Sequence, residues 1–239
     1  MSVLYIVATP IGNLEDMTLR ALRVLKEVDV LACEDTRHTR RLLEHFEIPR
    51  PETVISYHEH NEDRGAEKIL DIIESGKTVA LCSDAGYPGV SDPGYVVISR
   101  AVERGIKVEV IPGAGAVEVA LLMSGLPTSS YTFRGFPPRK SGKRQTFIGQ
   151  DKDRPHTQIF YESPFRIGKF LKDAYTVLGD RKAAVCLELT KKFERVESGW
   201  LSDLAEKFLS GKTKGEIVVV IAGNNPKFLR TDTDEEAND

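Results

Sequence analysis

Five short apolar runs punctuate the first half of the chain, at residues 3–8, 30–33, 54–56, 78–82 and 107–111. Helical periodicity follows each run, as in Leu19, Leu22, Leu25 and Val28. Runs this short read as buried strands, and strands that alternate with amphipathic helices predict a parallel sheet covered on both faces. Helices are expected over 18–28, 40–46, 64–75, 95–104 and from the Pro112-Gly113-Ala114-Gly115 turn to Ser124. The unusual residues all follow strands, at 10–13, 34–37, 58–62, 84–94 and 112–115. Open α/β sheets place ligands at that edge.

The longest of these turns reads SDAGYPGVSDPG from Ser83 to Gly94. Its three glycines admit positive φ and close approach of a ligand to the backbone. Asp92 followed by Pro93 predicts a helix start, with the carboxylate as cap. Beyond Leu126 the pattern changes. Strands are expected at 157–161, 183–189, 193–199 and 216–222, and helices at 165–178 and 202–209. Strands without intervening helices predict a mixed sheet. The expected division is therefore 1–125, 126–225 and a tail, 226–239. Five acidic residues from Asp232 to Asp239 account for more than the formal charge of −3, so the remaining body is +2. Such a tail is expected to be disordered, and such a body tolerates a polyanionic partner.

An apolar content of 41% supplies a core. No run approaches the length needed to span a bilayer, and no basic segment precedes the first strand to make a signal peptide. Cys33, Cys82 and Cys186 form no CxxC pair, which speaks against a disulfide framework or a zinc knuckle and fits a reducing cytoplasm. The dinucleotide pattern GxGxxG fails at Glu118, and the two GKT triplets, at Gly76 and Gly211, lack the earlier P-loop glycine. A turn that admits a ligand without a pyrophosphate cradle suits an adenosyl compound. His58-Glu59-His60 has no HExxH partner, so a polar active-site loop or a solvated loop fits it better than a metal site. Arg134, Arg139, Lys140, Lys143 and Arg144 stand beside Phe133 and Phe136. That composition suits either an RNA grip or plain solvated surface.

Several motifs together carry a resemblance. They are VATPIGNLEDMTLRAL from Val7, ACEDTRHTRRLL from Ala32, YHEHNE from Tyr57, SDAGYPGVSDPG from Ser83 and IPGAGA from Ile111. SGLPTSSYTFRGFPPRK from Ser124, FYESPFRI from Phe160, LELTKKFE from Leu187 and KGEIVVVI from Lys214 extend it to most of the chain. The chain resembles the ribosomal RNA small-subunit methyltransferase I family, a branch of the tetrapyrrole methylases. Tyr87 departs from the smaller residue expected in its turn. The resemblance implies a two-domain α/β homodimer with S-adenosylmethionine in the interdomain cleft. It also implies methylation of a cytidine ribose 2′-oxygen in the decoding region of 16S rRNA, within or on the way to the 30S subunit.

On that footing the expected cofactor contacts are Pro10, Asp84, Tyr87, Val90, Ser91, Gly115 and Ala116. The expected RNA contacts are Arg37, Arg134, Arg139, Lys140 and Arg144. Proton acceptors are sought among Asp35, His58, Glu34, Glu59 and Lys191, with Asp35 and His58 first, although Asp35 also suits a helix cap before Thr36. No metal is expected. A tetrapyrrole-precursor methyltransferase and a non-catalytic ribosome-associated module are the rival readings.

Overall fold

The computed structural model describes residues 2–231, which fall into two units, Met1–Gly115 and Ala116–Asp239, each with its own sheet. In the first, β1 (Val3–Val7), β2 (Val30–Cys33), β3 (Thr53–Ser56), β4 (Val79–Cys82) and β5 (Lys107–Ile111) pair in the order 3-2-4-1-5, all parallel. Alternation along each strand sends side chains to opposite faces. Leu4, Ile6, Val30, Ala32, Val79 and Leu81 meet α3 (Glu62–Glu74) and α4 (Tyr95–Glu103). Val7, Leu31, Cys33, Ala80 and Cys82 meet α1 (Leu19–Glu27) and α2 (Thr36–His45) on the other. Each fully buried Leu or Ile contributes about 1.5–3 kcal/mol to holding these layers together.

The face each helix takes follows from handedness. Crossovers between parallel strands are right-handed. The connections from β1 to β2 and β2 to β3 step one way along the sheet, and those from β3 to β4 and β4 to β5 step the other. So α1 and α2 share one face and α3 and α4 the opposite one. Neighbouring β2 and β4 therefore send their chains to different faces, and a crevice opens between their carboxyl ends.

The second unit holds β6 (Tyr131–Phe133), β7 (Thr157–Glu162), β8 (Lys182–Leu187), β9 (Arg195–Trp200) and β10 (Ile217–Ile221), in the order 6-7-10-8-9. Only β6 and β7 are parallel, so the sheet is mixed. One face carries α6 (Ser141–Gly149), α7 (Ile167–Leu178) and α8 (Leu201–Ser210) around Phe160, Phe170, Val185 and Val219. A Cβ on Gly168 would meet the Phe208 carbonyl at 2.6 Å, so this glycine lets α7 and α8 touch. The helix α5 (Ala116–Ser124) packs against β8, β9 and β10, and the Cys186 thiol lies 3.8 Å from the Ala120 carbonyl. The chain thus divides after Gly115, one helix before the expected boundary near Leu126.

Four local expectations are corrected. The stretch read as loop over 135–144 holds the start of α6, and Gly135 extends the sheet by accepting the Tyr161 N–H. α2 starts at Thr36, not Arg40, because Asp35 caps it: its Oδ1 accepts the Arg37 N–H at 2.8 Å. Residues 226–230, assigned to the tail, are held in place. Pro226–Phe228 is a 3₁₀ turn, Leu229 pairs with Arg181, and Arg230 bonds Asp180 and Asp203. Residues 232–239 lie outside the described residues. Finally, Arg144 is only 3% exposed and forms an ion pair with Asp173 at 2.5 Å, so it belongs to the core and not to a binding surface. Arg144→Ala is expected to destabilise the chain by about 3–5 kcal/mol, because Asp173 would keep a buried charge without its guanidinium. Arg139→Ala, at an exposed position, should stay within about 0.5 kcal/mol of the parent. Urea unfolding of the two variants checks both.

Candidate functional site

The strand-end turns of the first unit hold one another in register. The turn after β1 pairs with the turn after β4: the Thr9 N–H donates to the Gly86 carbonyl at 2.9 Å, and Gly86 returns the bond at 3.0 Å. Gly86 has φ +75°, which L side chains rarely adopt. Thr9 Oγ1 donates to the Ser83 carbonyl at 3.2 Å. Tyr87 reaches the turn after β5, where its Oη accepts the Gly113 N–H at 3.0 Å and lies 3.3 Å from the Gly113 carbonyl. The large residue that departs from the expected pattern is thus a brace between two turns. A hydroxyl able to donate and accept in one place suits that role.

The 83–94 turn folds back on itself. Gly89 donates to the Pro93 carbonyl at 3.2 Å, and a Cβ on Gly94 would fall 2.6 Å from the Gly89 nitrogen. Gly94, and not Asp92, precedes α4, and no side chain of that turn caps the helix. Glu62, the first residue of α3, ties the turn instead: its Oε1 accepts the Gly94 N–H at 2.9 Å and the Tyr57 hydroxyl at 3.3 Å. Asp92 is thereby left free of the role expected for it.

Its carboxyl joins Glu34 and Asp84 at the β2–β4 crevice. Asp84 Oδ1 accepts the Asp35 N–H at 3.1 Å and so ties the two diverging turns. Burial, followed by repulsion from Glu34 and Asp84, pushes the Asp92 carboxyl up to about 7. Burial and Asp84 also raise Glu34, against a backbone hydrogen bond from Asp84 that lowers it. Among the described residues, none of the three carboxylates has a salt-bridge partner. The crevice therefore gathers three partly desolvated carboxyls outside any ion pair, and burial holds Asp92 and Glu34 toward their neutral forms.

The remaining expected residues divide by role. Asp35 is engaged by the Arg37 guanidinium at 2.7 Å and by the α2 N-terminus, and these bonds hold its carboxyl far below the usual range. It is a poor proton acceptor. Asn61 Oδ1 accepts the His58 N–H at 2.9 Å and its amide donates to the Ser56 carbonyl, which fixes the His58 turn. His58 Nδ1 is buried and has no hydrogen-bond partner. Glu59 and His60 are exposed beside each other. Lys191 belongs to the second unit. Burial opposes its charge, but ion pairs with Glu216 and Glu188 outweigh that and raise it, so it stays an ammonium.

Pro10 is buried in the β1 turn, while Val90 and Ser91 stand exposed on the long turn. Gly115 ends the first unit and Ala116 opens α5. Arg37, Arg139 and Lys140 are exposed. Arg134 is spent inside its own unit, paired with Asp151 at 2.6 Å and stacked 4.3 Å from the Phe147 ring centroid. Asp92 and Glu62 were expected on this edge, at 84–94 and 58–62, but not as site residues. The Asp-Pro pair imitates a cap in sequence, whereas α4 starts after Gly94. Among the described residues, no three His, Cys, Asp or Glu side chains are grouped to hold a metal ion, and no helix is long and apolar enough to cross a membrane.

Comparison with known proteins gives concordant matches. The family model for Tetrapyrrole (Corrin/Porphyrin) Methylases matches residues 3–205. A ribosomal RNA small subunit methyltransferase I from Halalkalibacterium halodurans is 46% identical, covering 94% of this chain and 77% of that one. One from Synechocystis is 43% identical, over 100% and 85%. Among solved structures, a uroporphyrin-III C-methyltransferase from Thermus thermophilus in complex with S-adenosyl homocysteine superposes with TM-score 0.64 at 18% identity, over 93% and 97%. A diphthine synthase superposes with TM-score 0.68 at 15%, over 93% and 90%. These two share the fold.

The raised Asp92 carboxyl makes a pH prediction. Its folded value lies above the unfolded one near 4, so the folded state holds the extra proton between about pH 4 and 7. Stability from this group is full below that window and is lost as pH rises through it. Asp92→Asn should flatten the fall in urea midpoint between pH 4 and 7. A parallel fall in both proteins would remove Asp92 as its source.

Proposed function

The chain belongs to the tetrapyrrole methylase family and, within it, to the ribosomal RNA small subunit methyltransferase I family, and from that premise we propose that it methylates 16S rRNA with S-adenosylmethionine. The acceptor in this reading is the ribose 2′-oxygen of a cytidine in the decoding region, and the enzyme works as a cytoplasmic homodimer on the 30S subunit. Identity above 40% to rRNA enzymes, against 20% or less to the tetrapyrrole enzymes of known structure, supports RNA over a porphyrin precursor.

The observation that carries the proposal is the unpaired carboxylate crevice. S-adenosylmethionine is cationic at its sulfonium and its ammonium, and it supplies an electrophilic methyl group when bound. Glu34, Asp84 and Asp92 fit such a group by chemistry, since each offers an acceptor and none is held in an ion pair. Asp84 is the residue best placed to accept a charge-assisted hydrogen bond, because its second oxygen remains after Oδ1 has taken the Asp35 N–H. A neighbouring cation would also draw Asp92 and Glu34 back toward their ionised forms. Thr9, Gly86, Tyr87 and Gly113 keep the turns from shifting, and preorganised in-line geometry is a main source of rate in such a displacement.

The acceptor hydroxyl must still release its proton. His58 Nδ1, buried and unpartnered, and the raised Glu34 carboxylate are the two groups suited to take it. Asp35 acts by holding Arg37 and the start of α2.

Two measurements test this reading. Tritiated methyl transfer from S-adenosylmethionine to purified 30S subunits, with nucleoside analysis for 2′-O-methylcytidine, should be positive. No label in rRNA would overturn it. In isothermal titration, Asp84→Ala should bind the donor about tenfold to a hundredfold more weakly, from the ~1.5–3 kcal/mol of a hydrogen bond to a charged group. His58→Ala should keep donor affinity and lose about 10²–10⁴-fold in kcat. Full turnover in both His58→Ala and Glu34→Gln would refute the base assignment.

A further inference from the structure

In the second sheet β7 and β8 both run antiparallel to β10, so they are parallel to each other, and β6 is parallel to β7. Ile217 of β10 pairs with Glu162 on one side and Leu187 on the other, and Gly135 accepts the Tyr161 N–H at 3.0 Å. The chain therefore leaves this sheet three times along one edge, after Gly135, Glu162 and Leu187. Each exit soon presents a phenylalanine to solvent. Phe136 is 58% exposed, Phe165 90% and Phe193 69%. With strands about 4.8 Å apart, the exits span roughly 15 Å.

These rings stand on fixed supports. Phe136 packs edge-on against Tyr161, with centroids 5.4 Å apart. Arg166, next to Phe165, joins two of the turns: it pairs with the buried Glu162 at 2.6 Å and donates to the Pro137 carbonyl at 3.4 Å. The turn that carries Phe193 is closed by the Thr190 N–H on Glu194 at 2.6 Å. One exposed ring alone would be ordinary, but three on successive turns along one end of a sheet make a candidate contact surface.

The charge of the edge identifies the ligand. Three of its carboxylates are paired with cations, Glu162 with Arg166 and Glu188 and Glu216 with Lys191, while Glu194 accepts the Thr190 N–H. Arg139, Lys140 and Lys192 are exposed and, among the described residues, have no ion pair. Three exposed rings interleaved with exposed cations, of which Lys192 lies over the Phe193 ring at 5.7 Å from its centroid, are complementary to a single-stranded nucleic acid, whose bases stack and whose phosphates need neutralising.

We propose that Phe136, Phe165 and Phe193 form a stacking row for unpaired bases of the substrate RNA, with Arg139, Lys140 and Lys192 along its phosphates. The proposal rests on the reading of the chain as an RNA methyltransferase and names the face that recognises the acceptor strand. It commits to single-stranded RNA, and a second copy of the chain is the competing occupant.

The test uses the full chain and a fluorescein-labelled oligocytidylate in an anisotropy titration. Phe136→Ala, Phe165→Ala and Phe193→Ala should each weaken binding by roughly tenfold, the triple variant by more, and Phe165→Tyr should restore the single loss. Donor affinity and sedimentation should match the parent. Replacing Arg139, Lys140 and Lys192 by Gln should lower the slope of log K against log salt by about 0.7 for each phosphate no longer neutralised. Unchanged RNA affinity in the triple Ala variant overturns the proposal, as does a parent protein that does not bind the oligonucleotide. A changed sedimentation coefficient with RNA affinity intact assigns the rings to an interface between copies. If the parent methylates 30S subunits and the triple variant does so equally well, the stacking row fails alone. If the parent methylates no rRNA, the functional reading itself fails.

Discussion

A reciprocal pair of hydrogen bonds joins the two turns between which the first edge is arranged: the Asp35 N–H donates to the Asp84 carboxylate, and the Asp84 N–H to the Glu34 carboxylate. The pair spans the place where β2 and β4, neighbours in the sheet, send their chains to opposite faces. Handedness forces that divergence, and divergence opens the crevice. Two helices leaving on opposite sides cannot pack against each other there, so the gap has to be bridged by polar groups from the turns. Asp84 provides the bridge and, in doing so, sits where Glu34 and Asp92 repel it. The fold tolerates this electrostatic cost because each turn is independently fixed, by Thr9 on Gly86, Tyr87 on Gly113 and Glu62 on Gly94.

The strand and helix order of the first unit was legible because its signal is local. Buried parallel strands are continuous apolar runs, as at Val30–Cys33, and the edge strand Lys107–Ile111 instead alternates polar and apolar residues; both coincide with their expected bounds. Reliance on that signal also hides β6 in the second unit. Tyr131–Phe133 is three residues long, at an edge, and half exposed, so it leaves no apolar run. α6 hides in a basic, glycine-containing segment. What makes it a helix of the core is Arg144, whose burial depends on Asp173 about thirty residues away in α7.

At the site, residue types were legible and roles were not. Sequence picks out acids, histidines and glycines after strands. It does not tell which acid caps a helix. Asp35 suited both a base and a cap and is the cap of α2, whereas Asp92 looked like a cap and is the carboxyl raised to about 7. The second difference has a tertiary origin: α4 starts two residues later than the Asp-Pro pair suggests, after Gly94, whose N–H is held by Glu62, thirty-two residues earlier in the chain.

The same reasoning separates the arginines. A guanidinium has five donors and finds carbonyls wherever a chain is packed. Arg134 and Arg144 lie in a stretch that composition alone marks as a polyanion grip, yet they are committed to Asp151 and Asp173, as Arg166 is to Glu162. Their commitment is useful to a surface even though they do not bind on it. Each pair neutralises an acid of the second unit, and Arg166 also ties the turns that carry Phe136 and Phe165. A formal charge of −3 therefore conceals two local fields of opposite sign: uncompensated carboxylates at the first sheet's edge and uncompensated cations at the second's. A cation and a polyanion are the two reactants of a sulfonium-to-RNA transfer, and each unit carries the charge that would attract one of them and repel the other.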